Sequence, residues 1–350
     1  MAINMVIGMI TNMVTGISTA INMGINMVTS TLSCNCQNFN RDYVGVAFSP
    51  YTKQRVNGQI PWFNSYDIND VKKQLLTINS KFNRISTYGM GTAGYNRQND
   101  WDKADSNCLI AKAAAELNAD RNQKLFTVSQ GVFQQSDADL QRIEIDRAFK
   151  AAEYSNNKYR GTVESIVFTN EYFTDDSKGW QVLNMIQSNK DRARRLGLAV
   201  GTRTHVCGHI LDPKSASYAS LEAIVKNSDI IMCNIYPASD VVHSGIDRAI
   251  SAVTNFYWAL RDRFTKINPQ IKVAIGESGW ASQGNMFNGA PTSVANLVNY
   301  WNQLGDWASR NNILLYLFEA IDEPWKGDSN SAESHFGWWY REGDNFKAKS

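Results

Sequence analysis

The amino-acid sequence predicts a (β/α)8 barrel from Arg41 onward. Short apolar runs with β-branched residues alternate eight times with longer, charged, helical stretches. Such alternation implies parallel strands joined by right-handed crossovers. The runs reach from Val44 to Phe318, 275 residues, against ~250 for a typical barrel of eight units. The competing architecture, an open doubly wound sheet, needs a Gly-rich first turn. Ser49-Pro50-Tyr51 after the first run is not one.

Taken in chain order, the expected strands are Tyr43–Phe48, Phe82–Tyr88, Lys124–Gln130, Val163–Thr169, Leu198–Thr204, Asp229–Ile235, Ile271–Gly276 and Ile313–Phe318. Each is short and carries Val, Ile, Phe or Thr, as a strand buried on both faces requires. Between them, Cys108–Leu117, Leu140–Tyr154, Gly179–Leu196, Leu221–Lys226, Asp247–Phe264 and Val294–Arg310 read as helices. The 350 residues suffice for one large domain with a sizeable core.

Composition narrows the function. Net charge is +2, which provides no basic face for a phosphate backbone and argues against nucleic acid as a partner. Aromatics make up 11%, with 10 Trp and 14 Tyr. A core absorbs some of them, and a groove that stacks flat apolar faces such as sugar rings would absorb the rest. The five cysteines fit neither a small disulfide scaffold nor paired zinc motifs. Cys207 and Cys233, on adjacent expected strands, are two core thiols or one bridge.

Residues 1–40 contain no charged side chain, six of the ten methionines, and Ile-Asn-Met at Ile3, Ile21 and Ile25. This is a low-complexity leader, excluded from the fold. Export and a membrane span are both weakly signalled: the positive start of a signal peptide is missing, and Asn4, Asn12, Asn22 and Asn26 are too polar for a span. The tail Lys347-Ala348-Lys349-Ser350 has no anchor signal. The catalytic domain is expected over 41–350.

In a barrel of this type, reacting groups sit where strands end and loops begin. Those ends are rich here: Tyr88-Gly89, Asn170-Glu171, Tyr236-Pro237, Glu277-Ser278-Gly279-Trp280, and Glu319-Ala320-Ile321-Asp322-Glu323-Pro324-Trp325-Lys326. Cleavage between sugars needs one carboxyl group to donate a proton to the leaving oxygen and another, ~5 Å away, to attack the anomeric carbon. Glu171 and Glu277 end the fourth and seventh strands, nearly opposite in a ring of eight. Asn170 can hydrogen-bond a sugar 2-hydroxyl. A lone Asn-Glu occurs by chance, and a strand-end Glu is more often a cap. The combination at successive barrel mouths is what argues for a site.

The sequence resembles glycoside hydrolase family 17, in its fungal and bacterial branch. The matching segments are Gly45–Tyr51, Ile85–Gly89, Phe168–Glu171, Ile275–Trp280, Phe318–Lys326 and Glu333–Gly337, in order across the domain. The resemblance implies a secreted or cell-wall enzyme acting on β-1,3-glucan, as hydrolase or glucanosyltransferase, without cofactor or metal, and expected to be a monomer. It implies Glu171 as acid/base, Glu277 as nucleophile, and Glu323 and Lys326 in a charged set beside them. Glu171 is then expected to be held protonated by partial burial and by the charge of Glu277. Tyr88, Tyr172, Phe173, Tyr236, Trp280 and Trp325 are the candidates for sugar stacking, with Asn170 and Glu319 as further substrate contacts.

Departures and rivals complete the reading. Ser86 stands where the family often has Arg, so a buried ion pair is expected to be missing. Ser278 and Ala281 replace Thr and Pro, and the loop Met90–Ser106 is long. His205, Cys207 and His209 alternate, and an extended chain would put these zinc-type ligands on one face. Gly208 suggests a turn instead, and no fourth ligand is evident. A non-catalytic glucan-binding wall protein is the alternative of another class; it would normally have lost one of the two glutamates.

Overall fold

A computed structural model describes residues 39–54, 56–57, 66–91, 100–103, 105–327 and 330–349. Eight parallel strands close into one barrel in chain order. They are β1 Val44–Ala47, β2 Arg84–Ser86, β3 Thr127–Val132, β4 Val163–Asn170, β5 Ala199–Thr204, β6 Ile230–Asn234, β7 Lys272–Ser278 and β8 Leu315–Leu317. All eight expected strands are present. The ring closes where Val44 pairs with Leu315 and Val46 with Leu317. Both faces of these strands are covered, which is why they read as apolar runs.

Among the described residues, seven helices surround the ring: α1 Ile68–Asn79, α2 Leu109–Arg121, α3 Ala138–Lys158, α4 Asp176–Arg195, α5 Tyr218–Asn227, α6 Ile246–Ile267 and α7 Val294–Asn311. Several starts are fixed by side-chain caps. Asp67, Asp137, Asp175 and Ser293 each accept a backbone N–H from the first turn. The ends of α2 and α7 are closed by Asn122 and Asn312 in the left-handed conformation. α1 is an addition to the expected helices. So is a C-terminal hairpin, β9 Trp339–Glu342 paired antiparallel with β10 Asn345–Ala348.

The core lies inside the ring and between ring and helices. Val167, Ile230, Met232, Ala274 and Tyr316 of the strands, with Leu314 just before β8, form one buried cluster. Cys207 and Cys233 are joined as a disulfide, with Cα atoms 5.8 Å apart. Among the described residues, no helix is long and apolar enough to cross a membrane. The low-complexity leader lies outside the described residues apart from its last two positions, and so does most of the loop 90–106.

Candidate active site

The ends of β4 and β7 carry the two carboxylates, and each strand is bulged beside them. In β4, Phe168 pairs with Thr202 but Asn170 pairs with Arg203, so Thr169 is an extra residue. Thr169 at φ 65° and Glu171 at φ 55° both adopt left-handed backbone that non-glycine residues rarely take. Neighbours in a regular strand point to opposite faces. Here the bulge brings both to one place: the Asn234 side-chain amide donates to Glu171 Oε1 at 2.7 Å and to Asn170 Oδ1 at 3.3 Å. In β7, Cys233 of β6 pairs with Ile275 but Asn234 pairs with Glu277. Gly276 is the extra residue, and it aligns Glu277 with Asn234. Bulges of this kind re-aim side chains beside functional sites.

Arg203 of β5 ties these groups together from below. Its guanidinium is buried and donates to Asn170 Oδ1 at 2.8 Å, Ser86 Oγ at 2.8 Å and the Thr87 carbonyl at 3.1 Å. Nε lies 3.5 Å from Glu277 Oε1, and the cation sits 4.2 Å from the centre of the Tyr88 ring. The buried ion pair expected to be missing is therefore present. Ser86 leaves the room on β2, and the cation arrives from β5.

Glu277 is buried at 5% exposure, and its Oε2 accepts from the Tyr236 hydroxyl at 3.3 Å. Burial pushes its carboxyl up to about 7; Arg203 pulls the other way, Glu171 adds to the rise, and Lys326 opposes it. Glu171 is more open, with 40% of its side chain exposed and His205 Nδ1 3.9 Å from Oε2. The expectation that burial would act on Glu171 is reversed. Glu277 is the group taken out of water, because it sits inside the ring while Glu171 follows the end of β4.

Over β8 and β1 lies a second charged set. Lys326 Nζ is 2.5 Å from Glu319 Oε2 and also pairs with Glu323, and both carboxylates are buried. Glu323 further accepts from Ser49 and from Trp325 Nε1, the latter at 3.0 Å. One cation between two buried carboxylates splits them. Burial holds Glu319 well up, whereas at Glu323 burial, though the largest influence, is outweighed by Lys326 together with hydrogen bonds from Glu319 and Ser49, and the carboxyl is lowered. Tyr88, Asn234, Glu277 and Glu319 each keep one buried side-chain oxygen without a hydrogen-bond partner among the described residues.

The aromatic candidates divide. Tyr88 and Tyr236 are half-buried against the carboxylates, and Trp325 is half-buried beside Glu323. Tyr172 turns along α4, with its hydroxyl on Gln181 at 2.7 Å and Lys178 over its ring at 5.7 Å. Two candidates offer no open face. Trp280 is fully buried, packed 5.4 Å from Tyr300 of α7, with Nε1 on the Pro291 carbonyl at 2.9 Å. A Cβ on Gly279 would come within 2.2 Å of the Phe318 carbonyl oxygen; the chain passes so close behind β8 that Trp280 is carried toward the helix layer. Phe173 is fully buried beside Gly179 of α4, which itself abuts Ser220 of α5.

The His205, Cys207 and His209 set is not a ligand set. β5 stops at Thr204, a 3-10 turn follows over Val206–Leu211, Cys207 is held in the disulfide, and His209 Nδ1 bonds Ser217 Oγ at 2.6 Å. Among the described residues, no group of three His, Cys, Asp or Glu side chains could hold a metal ion. Reading the sequence missed Arg203 and Asn234. Arg203 was signalled by a lone charge within an apolar strand. Asn234 ends β6 much as Asn170 ends β4.

A (β/α)8 barrel with paired carboxylates at the ends of two well-separated strands is glycoside hydrolase architecture. Residues 45–337 match the model of the BtgE/BtgC glycoside hydrolase domain, and the chain belongs to that family. It is similar to a glucan 1,3-beta-glucosidase of Schizosaccharomyces pombe, 28% identical over 125 residues, 34% of this chain and 37% of that protein. A glucan 1,3-beta-glucosidase of Candida albicans is 36% identical over 78 residues, 21% of this chain and 25% of that one. The chain thus spans well under half the length of these curated relatives. Among solved structures, an endo-laminarinase from Formosa Hel1_33_131 shares the fold at TM-score 0.67 and 18% identity, covering 86% of this chain and 84% of that one. A family 17 β-1,3-glucanosyltransferase from Rhizomucor miehei does so at TM-score 0.62 and 21% identity, covering 88% and 96%.

Proposed function

We propose that the chain is a retaining glycosidase of β-1,3-glucan, with Glu277 as nucleophile and Glu171 as general acid/base. The observation that carries this is the bonded set Glu171–Asn234–Asn170–Arg203, with Glu277 against Arg203, which holds carboxylates from β4 and β7 in one place. Two features of their surroundings support this division of roles. Glu277 is buried and faces Arg203 and the Tyr236 hydroxyl, groups that favour its anion. Glu171 is open at the rim, where a leaving group can reach it.

In the first step a Glu277 oxygen bonds to the anomeric carbon, the glycosidic C–O bond breaks, and the leaving oxygen takes the proton from Glu171. Glu171, now a base, removes a proton from water or from a glucan 3-hydroxyl, and that oxygen displaces Glu277 from the sugar.

The names of the relatives and structural neighbours support β-1,3-glucan as substrate, and the Rhizomucor likeness supports family 17 within the wider class. The Cys207–Cys233 disulfide supports an oxidising location such as the cell wall, and the closed ring of eight strands supports 41–350 as one catalytic domain. The test is incubation with laminari-oligosaccharides and sizing of the products. Shorter products mean hydrolysis, longer ones transfer, and none at all removes the enzymatic reading. Glu277→Ala and Glu171→Gln are each expected to lower turnover by several orders of magnitude while the circular dichroism stays native. Near-normal activity in either variant ends that residue's assignment.

A further inference from the structure

We infer that Phe287 is the aromatic platform for the sugar on the leaving side of the scissile bond, and therefore for the acceptor sugar in transfer. This rests on the roles proposed above for Glu171 and Glu277. Phe287 is 69% exposed, the highest value among the large hydrophobic side chains described. Exposing an intact phenyl ring forgoes burial, so its placement asks for an explanation.

The ring is held out by its loop. Met286 and Asn288 on either side are buried. Met286 Sδ accepts from the Ala281 N–H at 3.4 Å, and the Asn288 amide donates to the Pro237 carbonyl at 2.9 Å. The Gly289 N–H closes back on the Met286 carbonyl at 2.9 Å. Phe287 then packs edge-on to Tyr236, centroids 5.6 Å apart and planes at 82°. Tyr236 in turn bonds Glu277. An exposed apolar ring is thus fixed one aromatic side chain away from the attacking carboxylate.

Its side of the bond follows from Glu171. The oxygen that Glu171 protonates leads to the leaving sugar, so that sugar lies past Glu171, over β5 and β6, where His205 and Asn234 flank the carboxyl. Tyr236 and Phe287 lie at that β6 end. The Glu319–Lys326 set, over β8 and β1, lies on the other side of Glu277.

The test compares Phe287→Ala and Phe287→Trp with the parent protein on two donors, laminaripentaose and 4-nitrophenyl β-laminaribioside, with laminaribiose added as acceptor. The nitrophenyl donor reaches the glycosyl-enzyme without a sugar on the leaving side. In Phe287→Ala the laminaribiose concentration for half-maximal transfer should rise about tenfold, equal to about 1.4 kcal/mol, and Phe287→Trp should restore it. A transfer-to-hydrolysis ratio within twofold of the parent at every acceptor concentration overturns the inference and leaves the assignment of the glutamates standing. A loss of the same size in nitrophenol release, with the laminaribiose concentration for half-maximal transfer unchanged, puts the ring on the glycone side and overturns it too. A parent protein inert on both donors sinks the reading of the site, and the platform with it.

Discussion

Arg203 decides the charge state on which the proposed reaction depends. Burial alone drives the Glu277 carboxyl toward its neutral form, and the guanidinium is the largest opposing influence. At about 7, the carboxyl gains its proton as pH falls through neutrality, so kcat/KM should drop on the acid side with a midpoint near there. Arg203→Met removes the cation, makes the anion harder to form and must move the acid limb upward. We expect a loss of at least about tenfold at pH 6 that narrows at pH 8, since each unit of displacement changes the ionised fraction by up to ~10-fold below the midpoint. An acid limb left where it was would show that Arg203 does not control Glu277. The strand ends that carry Glu171 and Glu277 stood out in the sequence through the motifs gathered at successive barrel mouths, since a lone strand-end Glu is more often a cap. The charge of Arg203 was visible within its strand, but its destination was not, because that depends on the gap that Ser86 leaves across the ring.

At the scale of elements, the strands were legible and the bulges were not. An apolar run shows that a strand exists. An extra residue in it leaves the composition unchanged and shows only in the pairing of two strands. Thr169 and Gly276 are such residues, and they decide which way Asn170, Glu171 and Glu277 point. The same ignorance of chain path placed Trp280 and Phe173 in the cleft, whereas loops after the strands turn them into the helix layer. Two glycines, one on β5 and one on β7, separate aim from folding. A Cβ on Gly276 would come within 2.9 Å of Arg203 Cγ and Cδ and of Asn234 Oδ1, all side-chain atoms of the site. A Cβ on Gly201 would come within 1.8 Å of the Ile230 carbonyl oxygen, which is backbone of the next strand. Gly276→Ala should therefore fold with a loss of ~1–3 kcal/mol while turnover falls by more than that loss explains. Gly201→Ala should give little or no soluble protein. Parent-like turnover in Gly276→Ala would mean the site tolerates displacement of Arg203.

The whole molecule is fastened around the site by its C-terminal hairpin. Trp339 donates to the Ala320 carbonyl and accepts from the Asp322 N–H, which joins β9 to the segment after β8. Beyond β10, Lys349 is buried and donates to Asp322 Oδ1 and Ser282 Oγ, each at 2.8 Å, and to the His335 carbonyl at 3.1 Å. Asp322 precedes Glu323, so this fastening continues directly into the Glu319–Lys326 set. Two residues earlier, Lys347 pairs with Glu342, but both are more than half exposed. Burial sets the difference between the two lysines. An exposed pair is screened by water and contributes ~0–1 kcal/mol. Removing one partner of a buried pair strands the other charge and costs ~3–5 kcal/mol. Lys349→Met should accordingly lower the stability measured by denaturant unfolding by several kcal/mol, and turnover on laminari-oligosaccharides should fall as the Asp322–Lys326 segment loosens. Lys347→Met should shift stability by under ~1 kcal/mol and leave turnover within twofold. Equal effects from the two substitutions would mean that the hairpin covers the barrel without bracing the segment that carries Glu323.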